Sequence, residues 1–493
     1  MNRKTINRSC GAVLFFVVAL LFAGSALFAQ PAAEALPPAK QSALDFAAVL
    51  DGEVQRMSMQ LWEYAEIALE EERSAAFLAD VLEKEGFRVR RAVAGMPTAF
   101  VAEWGKGRPI VGVLAEYDAL PNIGNDPVPR RQARADGHPH GHGCGHNLFG
   151  AGSVGAAIIL KRVMEEHDLA GTVRLYGTPA EETLVGKVYM ANAKLFDDLD
   201  AALDWHPSLN TGVLNQTGQA MNNFAVEFFG RSAHGAYDPW NGRSALDAVE
   251  LMNHGVNLMR EHIEPSARIH YVMTNAGEAP NVVPDYARVW YYVRDDNREK
   301  AEKNYSWILD IAAGAAQGTQ TKHKVTLITG VHEMVLNRPL QEAAQANLER
   351  VGAPDYTEDE QAFARELQAF LELEQTGISE ELDPLLDEPE PVEGGSTDVA
   401  EVSRITPTVS LEVASAAEGL PWHSWSTTAS HGTPGSATAA QVAARVLALI
   451  AVDILTDADL LARARAFFDE KRGDAPYRSP IPVDQKPPLP KKQ

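Results

Sequence analysis

An alternation of short strand-type runs with stretches of helical period constrains the fold of this chain more than any other feature of its sequence. Residues 111–115 (Val-Gly-Val-Leu-Ala) are wholly apolar, the pattern of a strand covered on both faces in the middle of a sheet. Residues 172–176 and 201–205 predict two further strands, and the periodicity of 147–166 and 185–196 predicts helices between them. That β-α-β-α-β order implies an α/β fold whose central sheet is mostly parallel and flanked by helices. Ahead of it, residues 44–85 place Leu, Phe, Trp and Ala at helical spacing, with Gly86 as a stop.

Near Thr217 the pattern shifts. Strands are predicted at 220–229, 268–274, 287–294 and 323–331, and helices at 244–261 and 300–316. The resulting β-α-β-β-α-β order is a complete ferredoxin-like unit closed on itself, so it reads as an insertion. Helices then return at 340–351 and 359–373, followed by a buried strand at 408–413 and a core helix at 441–450. The domain reading is a first part at 40–216, an inserted domain at 217–333, a second part at 334–460 and a C-terminal extension at 461–493. Residues 374–393 are acidic and read as a solvated loop, while the Pro-rich end from Asp474 reads as extended.

The first 29 residues have the form of an export signal: Arg3, Lys4 and Arg8 precede an apolar run, and small residues lead to Ala29. This implies a periplasmic or secreted protein, the alternative being an uncleaved membrane anchor. Beyond this segment no stretch reads as a membrane span. Removing its three positive residues moves the formal charge from -23 to -26, and so acidic a surface argues against nucleic acid, whose phosphates need basic partners. Cys10 leaves with the signal, so Cys144 is the single remaining cysteine and no internal disulfide can form. A lone thiol in an exported protein is buried, reactive or metal-bound.

In open α/β sheets, ligands collect at the carboxyl ends of the strands. Here strand 111–115 runs into Glu116-Tyr117-Asp118, Cys144-Gly145-His146 precedes a helix, strand 172–176 leads to Glu181-Glu182, and strand 201–205 ends at His206. Thiolate, imidazole and carboxylate together suit zinc, and the carboxylates also admit manganese. Two divalent ions would share a ligand, and Cys144, ahead of a helix start that favours its charged form, is the candidate bridge. In Glu181-Glu182 one carboxylate would bind metal and the other accept a proton from the activated water; spacing leaves their order open. Each piece alone has a plainer explanation: a buried small residue for Cys144, loop histidines for His138, His140 and His142, a structural histidine for His206. Those explanations must be invoked separately at every strand end. A further ligand should come from the last third, where His423 is preferred to His431; Asp398 reads as a loop residue or one behind the ligands. In the insertion, His234 and Asn281 suggest a surface that meets substrate.

Taken together, Gly112-Val-Leu-Ala-Glu-Tyr-Asp-Ala-Leu-Pro121, Gly141-His-Gly-Cys-Gly-His-Asn147, Thr178-Pro-Ala-Glu-Glu182, Ser232-Ala-His234 and Asn281-Val-Val-Pro284 resemble the dinuclear metallopeptidase-like amidohydrolases, a family that includes carboxypeptidase G-like enzymes, auxin-conjugate hydrolases and aminoacylases. Gly395-Ser-Thr-Asp398 and Trp422-His-Ser-Trp425 fit its aminobenzoyl-glutamate-hydrolysing branch, and the likeness runs from about residue 45 to 485. The resemblance implies that Cys144, His146, Glu182, His206 and His423 hold two Zn or Mn ions, that Glu181 is the general base, and that Asp118 sits behind the metals and orients a ligand. It further implies that the inserted domain is a lid that forms a homodimer, through which His234 and Asn281 reach the substrate. A second subunit type is an open expectation. The implied reaction is hydrolysis of the amide bond of a small N-acyl or aminobenzoyl amino acid. The alternatives are an aminopeptidase or dipeptidase on the same scaffold, and a metal-binding dimer without activity. The family motif often continues Cys-Gly-His-Asp, where this chain has Asn147, which lowers the charge behind the ligands.

Overall fold

A computed structural model describes residues 36–392, 394–473 and 476–490; the expected export signal lies outside the described residues. The strands are β1 (Arg88–Arg91), β2 (Phe100–Lys106), β3 (Ile110–Ala115), β4 (Gly171–Gly177), β5 (Ala201–Ser208), β6 (Gly212–Val213), β7 (Ala220–Phe229), β8 (Arg268–Asn275), β9 (Tyr286–Asp295), β10 (Lys322–Val331) and β11 (Thr408–Ala414). They form two sheets, ordered β1-β2-β4-β3-β5-β11-β6 and β10-β7-β9-β8, both within the unit Pro38–Gln493.

The larger sheet is mixed, which corrects the expectation of a mostly parallel one. Its centre, β4-β3-β5-β11, is parallel. Its flanks are antiparallel, with β1 on β2, β2 on β4 and β6 on β11. A short connection joins β1 to β2 and favours their antiparallel return, and the flanking strands escaped the sequence reading because they lack its apolar signature. β1 is Arg-Val-Arg-Arg, a charged and largely exposed edge of the kind that discourages pairing with other chains.

Helices His146–His167 and Ala437–Thr456 pack on the strands of this sheet. Helix His146–His167 is buried along most of its length and packs against Pro38–Tyr64 and Ala437–Thr456. Each fully buried Leu, Ile, Val or Phe there contributes roughly 1.5–3 kcal/mol. Ala437–Thr456 is long and apolar enough to cross a bilayer, contrary to the sequence expectation, but it is a largely buried core helix. The stretch of helical spacing at 44–85 forms two helices, Pro38–Tyr64 and Glu72–Lys84. Ala65 and Leu69 take left-handed backbone at the break, and the Glu66 carboxylate accepts the Arg73 and Ser74 N–H groups that open the second helix.

In the smaller sheet all pairings are antiparallel, and the chain order is strand, helix Ala245–Met259, two strands, helix Arg298–Thr319, strand. Along β9, Ala287, Val289, Tyr291 and Val293 are buried with the helices, while Trp290, Tyr292 and Arg294 alternate to the other face. Helix Ala458–Arg472 follows the core helix, and the Pro-rich end packs down: Ile481 is buried, and the Tyr477 hydroxyl donates to Glu401 Oε2.

Candidate active site

The carboxyl ends of β3, β4 and β5 converge with the start of helix His146–His167, and the donors of all four segments meet there. Cys144 Sγ lies 3.4 Å from His206 Nε2 and 3.3 Å from His423 Nε2. His423 Nε2 in turn lies 3.5 Å from Glu182 Oε2. Two donor groups result, Cys144-His146-His206 and Cys144-Glu182-His423, and within each the ligand atoms lie within 4.8 Å of one another. Cys144 belongs to both. A third group of the same compactness joins Glu116, His146 and Glu181.

Local backbone explains the motifs. Gly145 has φ +82, and a Cβ there would stand 2.8 Å from Pro207 Cβ, so only glycine lets Cys144 and His146 turn toward one centre. Glu181 and Glu182 sit on a 3-10 turn bracketed by left-handed Ala180 (φ 59) and Leu184 (φ 57). The Glu71 carboxylate holds that turn, accepting the Ala180 N–H at 2.8 Å. His423 is itself left-handed, at φ 56. Strained backbone of this kind concentrates at functional sites.

Hydrogen bonds aim the rings. His146 Nδ1 lies 2.9 Å from Asp118 Oδ1, and Asp118 Oδ2 accepts the Glu182 N–H at 2.9 Å, so one buried carboxylate orients a histidine and the adjacent turn. His206 Nδ1 lies 2.6 Å from the Pro207 carbonyl, which leaves Nε2 for the centre. His431, the alternative late histidine, has both ring nitrogens engaged, Nδ1 at 2.9 Å from the His142 carbonyl and Nε2 at 3.1 Å from Ser415 Oγ. His142 is likewise turned away, toward the Leu61 carbonyl. His234 and Asn281 are neighbours on an exposed turn, bridged through Val282, and no hydrogen bond joins them to the donor cluster among the described residues.

Charge in the centre favours a cation. Buried His146 Nε2, Glu182 Oε1 and Glu116 Oε2 have no hydrogen-bond partner, although Glu116 Oε2 is 3.1 Å from His146 Nε2. Burial, reinforced by the Glu182 carboxylate, raises the Cys144 thiol well above its ordinary range, so the helix start alone does not produce a thiolate as the sequence suggested. Burial pushes Glu182 up to about 8 and His206 down to about 3. Divalent ions relieve all of these costs, because a coordinated thiol ionises outright and a neutral imidazole is the ligating form. Burial also raises Glu181 well above the ordinary carboxylate range, helped by Glu116 and Asp398.

Behind the donors is a network that motif spacing did not reveal. Lys187 is fully buried, its Nζ 2.6 Å from Glu116 Oε1 and 2.5 Å from Asp398 Oδ1. Asp398 also accepts the Lys187 N–H, which makes it a partner of the buried lysine and not a loop residue. Asp204 on β5 is buried beside Ser410. A charged residue inside an otherwise apolar strand was the available signal for it, because burying a carboxylate without purpose is costly.

Residues 112–417 match peptidase family M20/M25/M40. The chain belongs to this family. Among M20 relatives, it is 34% identical over 454 residues to a subunit of the p-aminobenzoyl-glutamate hydrolase of Escherichia coli, covering 87% of this chain and 94% of that one. It is 30% identical over 319 residues to the Xaa-Arg dipeptidase of Mus musculus, covering 62% and 69%. A Bacillus subtilis structure described as a dinuclear metal-binding peptidase of the M20 family superposes with a TM-score of 0.55 at 18% identity, covering 82% of this chain and 99% of that one, which shows the shared α/β fold. With hydrolases of amide bonds as its relatives, this M20 protein is a hydrolytic enzyme.

Proposed function

We propose that this M20 enzyme is a metal-dependent amidohydrolase that splits the amide between an N-acyl or aminobenzoyl group and a small amino acid such as glutamate. The observation that carries the reading is the sharing of Cys144 by two compact donor groups, which suits two ions bridged by one thiolate. Cys144, His146 and His206 would hold one ion, and Cys144, Glu182 and His423 the other, with Zn or Mn as candidates. Bound there, the ions supply Lewis acidity that polarises the scissile carbonyl and acidifies water. Glu181 accepts the proton of the attacking water and delivers it to the departing nitrogen, so water adds across the amide to give an acid and an amine. Asp118 acts through His146 as a positioning residue.

Residues 217–333 would be a lid that closes over the site and joins two copies, with His234 and Asn281 serving the partner's site. Exposed Tyr237, Trp240 and Val282 beside them support a surface that is covered in the assembly. Arg294, on the open face of β9, has a buried Nε without a partner and makes no salt bridge among the described residues. A guanidinium with an unpartnered donor on that face supports a role in meeting a substrate carboxylate. Because the E. coli relative is named as one subunit of its enzyme, a second subunit type is worth testing for. Export of the mature chain to the periplasm or beyond is part of the same proposal.

Removal of metal with chelator should abolish hydrolysis of p-aminobenzoyl-glutamate, and Zn or Mn should restore it with two ions per chain by mass spectrometry. Full activity in exhaustively metal-free protein would overturn the reading. The Xaa-Arg relative motivates a dipeptidase as the second reading. Strict dependence on a free α-amine across a substrate panel would favour it.

A further inference from the structure

The turn that presents Glu181 and Glu182 is held at both ends, and its holders come from different parts of the chain. Its flanking residues, Ala180 (φ 59) and Leu184 (φ 57), are left-handed without being glycine, a conformation that persists only where neighbours impose it. At the front, buried Glu71, from the connector between the first two helices, accepts the Ala180 N–H. At the back, the Thr329 hydroxyl donates to the Leu184 carbonyl at 2.5 Å. Thr329 lies on β10 of the smaller sheet and is fully buried.

Register explains why Thr329 points there. β10 pairs with β7 residue for residue from Lys322 to Leu327 and then slips by one, so that Leu327 faces Phe224 while Thr329 faces Asn223. Ile328 is the extra residue. A bulge of this kind re-aims the side chain that follows it and takes local backbone groups out of the ladder. Those groups are met from outside the sheet. The Leu327 and Ile328 carbonyls accept from Gln485 Nε2 at 2.9 and 3.0 Å, and the Ile328 carbonyl also accepts the Tyr189 hydroxyl at 2.9 Å. Gln485 belongs to the Pro-rich segment, which is pinned nearby by buried Ile481 and by Asn192 Nδ2, the donor to the Pro482 and Val483 carbonyls. The Pro-rich segment therefore fixes the bulge, and the bulge carries the Thr329 hydroxyl to the Glu181-Glu182 turn.

We propose that Thr329 is a positioning residue for amide hydrolysis: through the Leu184 carbonyl it locks the back of the turn and sets where Glu181 and Glu182 stand, while Gln485 keeps it in place. The inference rests on the amidohydrolase reading, which gives those two carboxylates their work. One hydrogen bond thus ties the smaller sheet to the reacting centre, so a displacement of that sheet shifts the turn.

The test uses the full chain. Thr329→Val keeps the branched shape and removes the hydroxyl. In hydrogen exchange read by mass spectrometry, peptides spanning 180–186 should exchange about ten-fold faster, the scale of one lost hydrogen bond, while β3 and β4 stay protected. With Zn or Mn bound, kcat should fall by about ten- to a hundred-fold with KM little changed, since a misplacement of ~1 Å reaches the upper figure. Thr329→Ser, which keeps the hydroxyl, should restore both exchange and kcat. Gln485→Ala touches neither the turn nor the donors, and it should speed exchange of the same peptides by a smaller factor. Unchanged exchange of 180–186 in Thr329→Val overturns the inference, as does equal loosening of β3 and β4, the mark of an ordinary buried residue. Failure of Thr329→Ser to rescue overturns it as well. Faster exchange with unchanged kcat overturns the positioning role and leaves amide hydrolysis standing. Wild-type protein that cleaves neither p-aminobenzoyl-glutamate nor any of a panel of N-acyl amino acids overturns the amidohydrolase reading itself, while exchange still judges the Thr329 contact.

Discussion

Glu181 and Glu182 are adjacent in sequence, but the 3-10 turn sends their carboxylates to different neighbours. Glu182 meets His423 and Cys144, while Glu181 joins Glu116 and His146. Glu181→Gln should therefore retain both ions by mass spectrometry and lower kcat by about 10²–10⁴-fold, the range that one proton-transfer group contributes. Loss of an ion in that variant would make Glu181 a ligand instead. Gly145→Ala tests the backbone that aims Cys144 and His146 at one centre. With positive φ and a Cβ directed at Pro207, it should lower bound metal as well as activity, and unchanged stoichiometry would show that the turn tolerates the side chain.

Among the elements, the short helix Gly186–Asn192 carries the largest electrostatic stake. Its Lys187 is buried between Glu116, at the end of β3, and Asp398, at the start of helix Val399–Ser403, so one ammonium ties three segments behind the donor cluster. Burial disfavours the cation, but Asp398 and Glu116 outweigh it and hold Lys187 well above its ordinary pKa. Lys187→Met removes the positive member and leaves two carboxylates facing each other. Urea unfolding should show a loss of about 3–5 kcal/mol, the usual cost of breaking a buried ion pair from one side. A loss below about 1 kcal/mol, the value of a solvated surface pair, would mean that water reaches the site freely. This network was not legible beforehand, since Lys187 sits in a helical stretch where a lysine ordinarily faces solvent. The strands β3, β4 and β5 were legible because their residues answer to local rules of period and apolarity. β1 and β2 were not, because their place is set by pairing, β1 on β2 and β2 on β4.

At the scale of the whole molecule, concentrated buried acid couples folding to pH and to metal. Burial raises Glu71 and Asp204 to about 8 and Glu412 to about 7, from ordinary values of 4.5, 3.8 and 4.5. The folded state thus holds protons that the unfolded chain has already lost above about pH 4. Stability contributed by these groups is complete below the unfolded values and is lost as pH rises through the folded ones. The melting temperature of chelator-treated protein should fall from about pH 5 to about pH 8 and level off above. Added Zn or Mn should raise it more at the alkaline end than at the acid end, because deprotonated ligands bind metal better. A flat profile without metal would place these carboxyls in contact with solvent. The sequence by itself determined the strand-end donors, the family they signal and the split of helical and extended segments, because those depend on residue type and short-range period. Only the tertiary structure decided that His423 and not His431 turns toward Cys144, and that Lys187 and Asp204 are buried behind the donor cluster. Each of these depends on which distant side chains occupy the same few cubic ångströms, and that is a property of the packed chain.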